Sequence, residues 1–222
     1  PYNDFLSAGG KLADRAMEVA NRTGTVPNMR AVVDAARRSG ITVFYVPHHR
    51  ARLTDFAGWK HASPYQLGAH QLQVFAEGSW GGAWHPDFLP QEGDVMVREH
   101  WSASGFANTD LDTQLKQHGV DRLIVIGLLA NTCVETTAKY GAELGYHVTL
   151  VKDATAAFSG LAMQAAHELD GPTYAHALLG LDGLVQALRP PAADHHPAGE
   201  LVDDLHLAVD HRVDDVALVE RL

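Results

Sequence analysis

The chain has 222 residues, a formal net charge of −10 at pH 7 and 46% hydrophobic residues. That length and hydrophobic content allow one sizeable core, so we expect one domain and a short appendage. The acidic balance argues against nucleic acid as a partner, because nucleic acid binding draws on clustered Lys and Arg.

The sequence contains no sign of a membrane or secretory segment. No apolar run approaches the roughly 20 residues that cross a bilayer, and the start PYNDFLSAGGK lacks a basic region followed by an apolar one. We therefore expect a cytoplasmic protein without a membrane partner. Its single cysteine, Cys133, excludes a disulfide framework and a multi-cysteine zinc site within this sequence.

Helices and strands are predicted to alternate along most of the chain. Apolar spacing predicts helices at residues 10–22 and 27–39, and Gly40 separates the second helix from a strand at 41–46. The other predicted elements are strands at 94–97, 122–126 and 147–151 and helices at 109–117, 133–144, 162–168 and near 181–188. Near-continuous apolar strands such as LIVIGLL are typical of a parallel sheet covered on both faces. We predict a three-layer αβα domain over residues 1–190, with a mostly parallel, doubly wound sheet that binds ligands at strand carboxyl ends.

Two segments lack this alternation. Residues 47–92 have no sustained period and contain three tryptophans and five histidines, and a loop of this length usually has a function. Pro190 and Pro191 predict a break, and residues 191–222 form the expected appendage. Its acidic residues and alternating aliphatics are compatible with a hairpin, an amphipathic helix or disorder.

Cys133 follows the apolar strand in IGLLANTC, where a helix is predicted to begin. A helix start supplies unpaired backbone N–H groups and positive potential, which favour a thiolate and can hold an oxyanion. This placement indicates a nucleophile. The alternative interpretation is that Cys133 is a small buried apolar residue.

The stretch ANTCVETTAKYGAELGYHVTLVKDATAAF resembles the cysteine signature of the isochorismatase-like cysteine hydrolases. PYNDF, VPHHR and REHWSASGFANTDLDTQL agree with it, and the resemblance spans residues 1–188. This family includes nicotinamidases and carbamoylsarcosine and ureidoacrylate amidohydrolases. The resemblance implies a Rossmann-like fold, a small-molecule substrate, no cofactor and a homo-oligomer, either a dimer or a tetramer.

The same resemblance implies an Asp-Lys-Cys triad in which Cys133 attacks a carbonyl carbon and forms an acyl-enzyme. It also implies a cis peptide between Leu128 and Leu129, with the N–H groups of Leu129 and Cys133 holding the oxyanion. True isochorismatases, which cleave a vinyl ether, resemble this family without the cysteine. The resemblance therefore implies hydrolysis of a C–N bond in a small amide or ureido substrate.

Two departures from the family pattern affect the triad. Arg98 stands where the family has its lysine, and it keeps the positive charge but hardly releases a proton. Alternatively, Arg98 is a strand-end residue that pairs with Glu99 or Asp94. The family aspartate ends a first strand that would precede Pro1, and Asp4 is expected to be a turn residue. The competing hypothesis is therefore a catalytically silent binding or structural homologue that lacks a complete triad.

We expect another segment of the chain to replace the missing first strand, because a gap inside a sheet leaves backbone groups unpaired. The tail offers two aliphatic segments, residues 205–209 and 216–219. We treat either segment as a candidate replacement strand.

Residues of the pocket are predicted as follows. Metal-binding nicotinamidases have an Asp-x-His motif where this chain has VPHHR, and adjacent histidines on an extended chain point to opposite sides, so we expect no metal. His48 and His49 are expected to line the pocket together with Trp59, Trp101 and Asn131, with loop packing as the alternative. Asn131 with Thr132, and residues 108–110, are also expected to cap helices.

Overall fold

The computed structural model of the protein describes residues 1–189 and 216–221. The strands are β1 Thr42–Val46, β2 Val95–Met96, β3 Arg122–Leu128, β4 His147–Ala156, β5 Ala177–Leu179 and β6 Val216–Arg221. The α-helices are α1 Asn3–Leu6, α2 Ala13–Thr23, α3 Thr25–Arg38, α4 Pro64–Gln71, α5 Leu111–Gln117, α6 Glu135–Glu143, α7 Gly160–Gln164 and α8 Leu181–Ala187.

One six-stranded sheet organises these elements, in the order β2-β1-β6-β3-β4-β5. Every pair of neighbouring strands is parallel. The predicted α/β class is confirmed, and the described sheet is parallel throughout. None of the helices in residues 1–189 and 216–221 is long and apolar enough to cross a membrane.

The sheet separates two apolar clusters, and the alternation of β3 shows how. Ile124 and Ile126 pack into one cluster with side chains of α2, α3 and α8. Leu123 and Val125 pack into the other cluster with side chains of α5 and α6. Because successive residues of a strand point to opposite faces, one apolar strand can belong to both cores. The result is the predicted three-layer arrangement.

β6 fills the interior of the sheet, between β1 and β3. Val219 lies opposite Phe44 on one side and Val125 on the other, and the chain runs parallel to both neighbours. Ala217, Leu218 and Val219 are fully buried. The predicted replacement strand at 216–219 is confirmed, and the sheet includes residues that the sequence analysis assigned to an appendage. The other candidate, 205–209, lies outside the described residues.

The long segment 47–92 contains more regular structure than its pattern predicted. It forms α4 and a 3₁₀ turn at Pro86–Phe88. The predicted helix at 133–144 is also different, since a π-helical turn at Ala130–Val134 precedes α6. A short turn of this kind is invisible to a search for one uniform helical period.

Asp4 connects the N-terminal turn to the long segment. Its buried carboxylate accepts hydrogen bonds from the backbone N–H groups of Phe75, at 2.7 Å, and Lys11, at 3.1 Å. A side chain at Gly81 would clash with this carboxylate. Asp4 thus has the structural turn role that its sequence context predicts.

We expect Leu218→Ala to lower the free energy of unfolding by about 2–5 kcal/mol, because it leaves a cavity in a fully packed core. Leu53 is 84% exposed, so Leu53→Ala is the matched control and should change stability by less than about 0.5 kcal/mol. Urea unfolding of both variants makes the comparison. Equal stability of the two variants would mean that β6 is not part of the sheet.

Candidate active site

Cys133 lies in the π-helical turn that joins β3 to α6, at the carboxyl edge of the sheet. The side chain is 2% exposed. The Thr132 hydroxyl lies 3.8 Å from Cys133 Sγ and donates toward it. The Thr132 hydroxyl is therefore directed at the sulfur. The helix cap predicted for Asn131 and Thr132 is absent, since no side chain caps either α6 or the π-helical turn.

The backbone before Cys133 is unusual at two adjacent positions. The peptide bond between Leu128 and Leu129 is cis, at the position that the family resemblance implies. The Leu129 carbonyl then accepts hydrogen bonds from the N–H groups of Thr132, at 3.2 Å, and Val134, at 3.1 Å. The two bonds thus close the backbone turn that contains Cys133. π-helical turns are rare and frequently mark functional sites.

Tyr65, on α4, extends its hydroxyl to Cys133. The residue as a whole is 46% exposed. It hydrogen-bonds with Cys133, and it lies 3.5 Å from Nε2 of His48. Burial, followed by the charge of Cys133 and this hydrogen bond, raises the pKa of Tyr65 above its ordinary value. The tyrosine therefore stays protonated at neutral pH.

Two adjacent histidines follow β1, and their rings face different surroundings. His48 contacts the rings of Tyr65, Phe75 and His100, with centroids 6.1, 5.4 and 5.0 Å away. His49 instead stacks on Trp101 at 3.8 Å. The opposed directions agree with the extended backbone. Within residues 1–189 and 216–221, no cluster of three His, Cys, Asp or Glu side chains is arranged to hold a metal ion.

His49 is held between two carboxylates. Its Nε2 lies 2.8 Å from Asp55 and its Nδ1 lies 3.3 Å from Glu99, which also pairs with Arg50 at 2.6 Å. Burial alone lowers the pKa of His49, but hydrogen bonds with Glu99 and Asp55 raise it overall. Burial likewise opposes ionisation of Glu99, yet bonds from His49 and Arg50 lower its pKa to about 2. Both ring nitrogens of His49 are thus engaged by carboxylates.

Arg98 is exposed, and its backbone N–H donates to Asp110 at 2.8 Å. Both alternative partners predicted for Arg98 are bonded to other arginines: Glu99 to Arg50 and Asp94 to Arg37. The exposure of Arg98 does not support the prediction that it replaces the family lysine. That role stays a prediction.

A change of register brings His100, rather than Glu99, next to His48. Tyr45 pairs with Met96, whereas His48 pairs with His100. The segment that starts in β2 therefore has one more residue between these two pairs than the segment that starts in β1. An added residue reverses the direction of the side chains that follow it. His100 is fully buried beside His48 as a result.

Trp59 and Trp101 line a cavity of about 270 Å³, together with Gln66, Ser102, Ser104, Ala107 and Asn108. His48, His49 and Trp101 line a second cavity of only about 20 Å³. Cys133 is not among the described residues that line either cavity. Asn131 is exposed on the turn before Cys133. Of the predicted pocket residues, the structure thus brings the two tryptophans together on the larger cavity.

Tyr65 and His100 are the two site residues absent from the sequence-based prediction. For Tyr65 a signal was available in SPYQ, residues 63–66. The Ser63 hydroxyl accepts from the Gln66 N–H, the Gln66 side chain accepts from the Ser63 N–H, and proline occupies the first turn. This capping box predicts a helix start. For His100 no local pattern reveals the added residue.

The two carboxylates beside His49 make stability depend on pH. Because the folded-state pKa of His49 is raised, its stabilisation is complete below the unfolded pKa of about 6.5 and is lost as pH rises through the folded value. We expect His49→Gln to cost about 1–2 kcal/mol at pH 5.5 and less at pH 8.5. Urea unfolding at both pH values measures this, with the exposed His61→Gln as control. A cost that does not shrink at pH 8.5 would contradict a charged His49.

Comparison with known proteins identifies the family. The chain is 29% identical over 163 residues to ureidoacrylate amidohydrolase RutB of Rhizobium rhizogenes, covering 69% of this chain and 66% of that protein. It is 26% identical over 201 residues to RutB of Variovorax paradoxus, covering 86% and 79%. An isochorismatase family protein of Desulfovibrio vulgaris superposes with a TM-score of 0.69 at 25% identity, covering 84% of this chain and 93% of that one.

N-carbamoylsarcosine amidase of Thermoplasma acidophilum superposes with a TM-score of 0.58 at 28% identity, covering 82% of this chain and 92% of that one. The profile of the isochorismatase domain matches residues 2–177, and therefore most of the chain. This chain belongs to the isochorismatase family of hydrolases.

Proposed function

We propose that the protein is a cysteine hydrolase that cleaves a C–N bond in a small amide or ureido compound. The observation that carries this proposal is the position of Cys133, buried in a π-helical turn at the carboxyl edge of a parallel sheet and bonded by two hydroxyl groups. Ligands of such sheets bind at this edge. The names of the relatives, a ureidoacrylate amidohydrolase and an N-carbamoylsarcosine amidase, support a C–N substrate.

In the proposed reaction, the Cys133 thiolate attacks the carbonyl carbon of the substrate. A C–S bond forms while the carbonyl π electrons move to oxygen, and the backbone N–H groups of Leu129 and Cys133 stabilise that oxyanion. The C–N bond then breaks, the amine leaves with a proton, and a thioester remains. Water attacks the thioester, releasing the acid and restoring Cys133.

The cavity beside Tyr65 has the size and lining for such a substrate. Its tryptophan faces suit a flat, conjugated or amide group, and its serine hydroxyls suit polar ends. Gln66 lines this cavity and directly follows Tyr65 in α4. The cavity is therefore one residue along α4 from Tyr65, and its volume of about 270 Å³ suits a small compound.

We expect Cys133→Ser to lower kcat for C–N hydrolysis by at least 1,000-fold while leaving the fold intact, because serine preserves the shape but not the nucleophile. The assay measures amine or ammonia release from ureidoacrylate, N-carbamoylsarcosine and nicotinamide. Iodoacetamide, which labels the single cysteine, should abolish the same activity in the wild type. Hydrolysis by Cys133→Ser at the wild-type rate would refute the proposed function, and absence of hydrolysis with all substrates would favour a silent binding homologue.

Arg98 is tested by Arg98→Ala. Because its side chain is exposed, we expect kcat/KM to fall by less than tenfold. Arg98→Lys separates a need for charge from a need for proton transfer. A loss of 100-fold or more in Arg98→Ala, with recovery in Arg98→Lys, would instead establish Arg98 as the replacement for the family lysine.

A further inference from the structure

We infer that the cavity lined by Trp59 and Trp101 binds an uncharged end of the substrate, and that the Ser104 hydroxyl donates a hydrogen bond to a carbonyl oxygen of that end. The inference deepens the proposed function, and it rests on that function for the statement that the bound compound is a substrate. Cys133 is not among the described residues that line this cavity. The carbonyl group bound by Ser104 is therefore a different one from the carbonyl group that Cys133 attacks.

The Ser104 hydroxyl can form one more hydrogen bond, and only as a donor. Its oxygen accepts from the backbone N–H groups of Phe106, at 3.2 Å, and Ala107, at 3.1 Å. A hydroxyl oxygen has two lone pairs, so these two bonds use its capacity as an acceptor and leave its hydrogen to donate. Within residues 1–189 and 216–221, this hydrogen has no acceptor. A ligand that bonds to Ser104 must therefore offer an acceptor atom.

Ser104 is buried at the wall of the cavity, with 9% of its surface exposed. A buried donor without an acceptor is unfavourable, so an acceptor oxygen in the cavity would be stabilised there. The turn that holds Ser104 is fixed, because the Gly105 N–H donates to the buried hydroxyl of Thr137 at 2.9 Å. Thr137 belongs to α6 and comes four residues after Cys133. The donor thus has a fixed position on the helix that follows the nucleophile.

The two tryptophans form one apolar wall of the cavity. Their ring centroids are 5.3 Å apart and their planes are inclined by 43°, so the rings lie side by side and do not clamp a ligand between them. His49 stacks on Trp101 at 3.8 Å, and the Gln66 side chain donates to the Trp101 carbonyl at 3.2 Å. These contacts hold Trp101 in place. A fixed aromatic wall next to a single donor suits a planar group that carries a carbonyl oxygen.

The lining of the cavity favours an uncharged group. None of the polar side chains that line it in the described part of the chain is ionisable: they are Gln66, Ser102, Ser104 and Asn108. A carboxylate that entered this cavity would lose its water without gaining a cationic partner. The net charge of −10 also repels anions. A neutral amide or ureido carbonyl satisfies Ser104 without either cost.

The test compares the binding of benzamide and thiobenzamide by isothermal titration calorimetry. Thiobenzamide has the same planar, neutral shape, but its sulfur is a much weaker acceptor than the carbonyl oxygen. The measurements use Cys133→Ser as the parent, so that binding is measured apart from hydrolysis. We expect Ser104→Ala to weaken benzamide binding by about fivefold, as for loss of one hydrogen bond, and to change thiobenzamide binding by less than about twofold. Ser104→Thr keeps the hydroxyl and should retain the preference for benzamide.

The matched control is Ser159→Ala. The Ser159 hydroxyl also accepts from a backbone N–H, that of Ala162 at 3.2 Å, but Ser159 does not line the cavity. This variant should bind both ligands as the parent does. An equal loss of both ligands in Ser104→Ala would mean that Ser104 only holds its own turn, and it would overturn the inference. If Ser104→Ala does not fold, the parent decides alone, since benzamide should bind at least about fivefold tighter than thiobenzamide.

Benzoate tests the preference for an uncharged group. We expect it to bind the parent at least about tenfold more weakly than benzamide, and equal binding would overturn this preference. Absence of benzamide binding at millimolar concentrations would overturn the site as a whole. The expected binding pattern in a protein that hydrolyses none of the substrates would keep the site and reject the proposed function. Hydrolysis without the expected binding pattern would keep the proposed function and reject the role of Ser104.

Discussion

The pairing of β6 with both β1 and β3 is the interaction on which the rest of the structure depends. Neighbouring strands lie about 4.8 Å apart, so a strand between them holds β1 and β3 about 10 Å apart. His48 follows β1 and Cys133 follows the turn after β3. The hydroxyl group of Tyr65, on α4, lies 3.5 Å from His48 Nε2. The position of β6 thus sets how far apart the segments that follow β1 and β3 lie.

The two histidines after β1 show how one extended segment creates two chemical environments. His49 has a carboxylate at each ring nitrogen and an indole against its face, which suits an imidazolium. His48 instead has a carbonyl oxygen, a tyrosine hydroxyl and aromatic rings around it. Two adjacent residues of the same type thus lie in different electrostatic surroundings. The alternation of the backbone is sufficient to produce the difference.

Much of the fold follows from the sequence, because apolar strands and amphipathic helices have periods that can be read locally. Strand β3, strand β1 and the helices before them lie close to their predicted positions. The cis bond at Leu128 and the buried Cys133 lie where the family resemblance implies. Neither Tyr65 nor His100 was predicted. The first depends on how α4 folds over the sheet, and the second on one added residue in a strand pair, which only the three-dimensional register reveals.

The position of β6 also has a consequence for how the protein is made. On the ribosome, β1 to β5 emerge before the strand that joins them, so the β1-β2 and β3-β4-β5 groups of strands stay separate sheets until residue 221 is available. Contacts between residues so distant in sequence slow folding, because a long loop must close first. During this interval, the inner edges of both sheets are open to pairing with other chains. Completion of β6 therefore closes two strand edges at once, and with them the two positions at which an incomplete chain could pair with another.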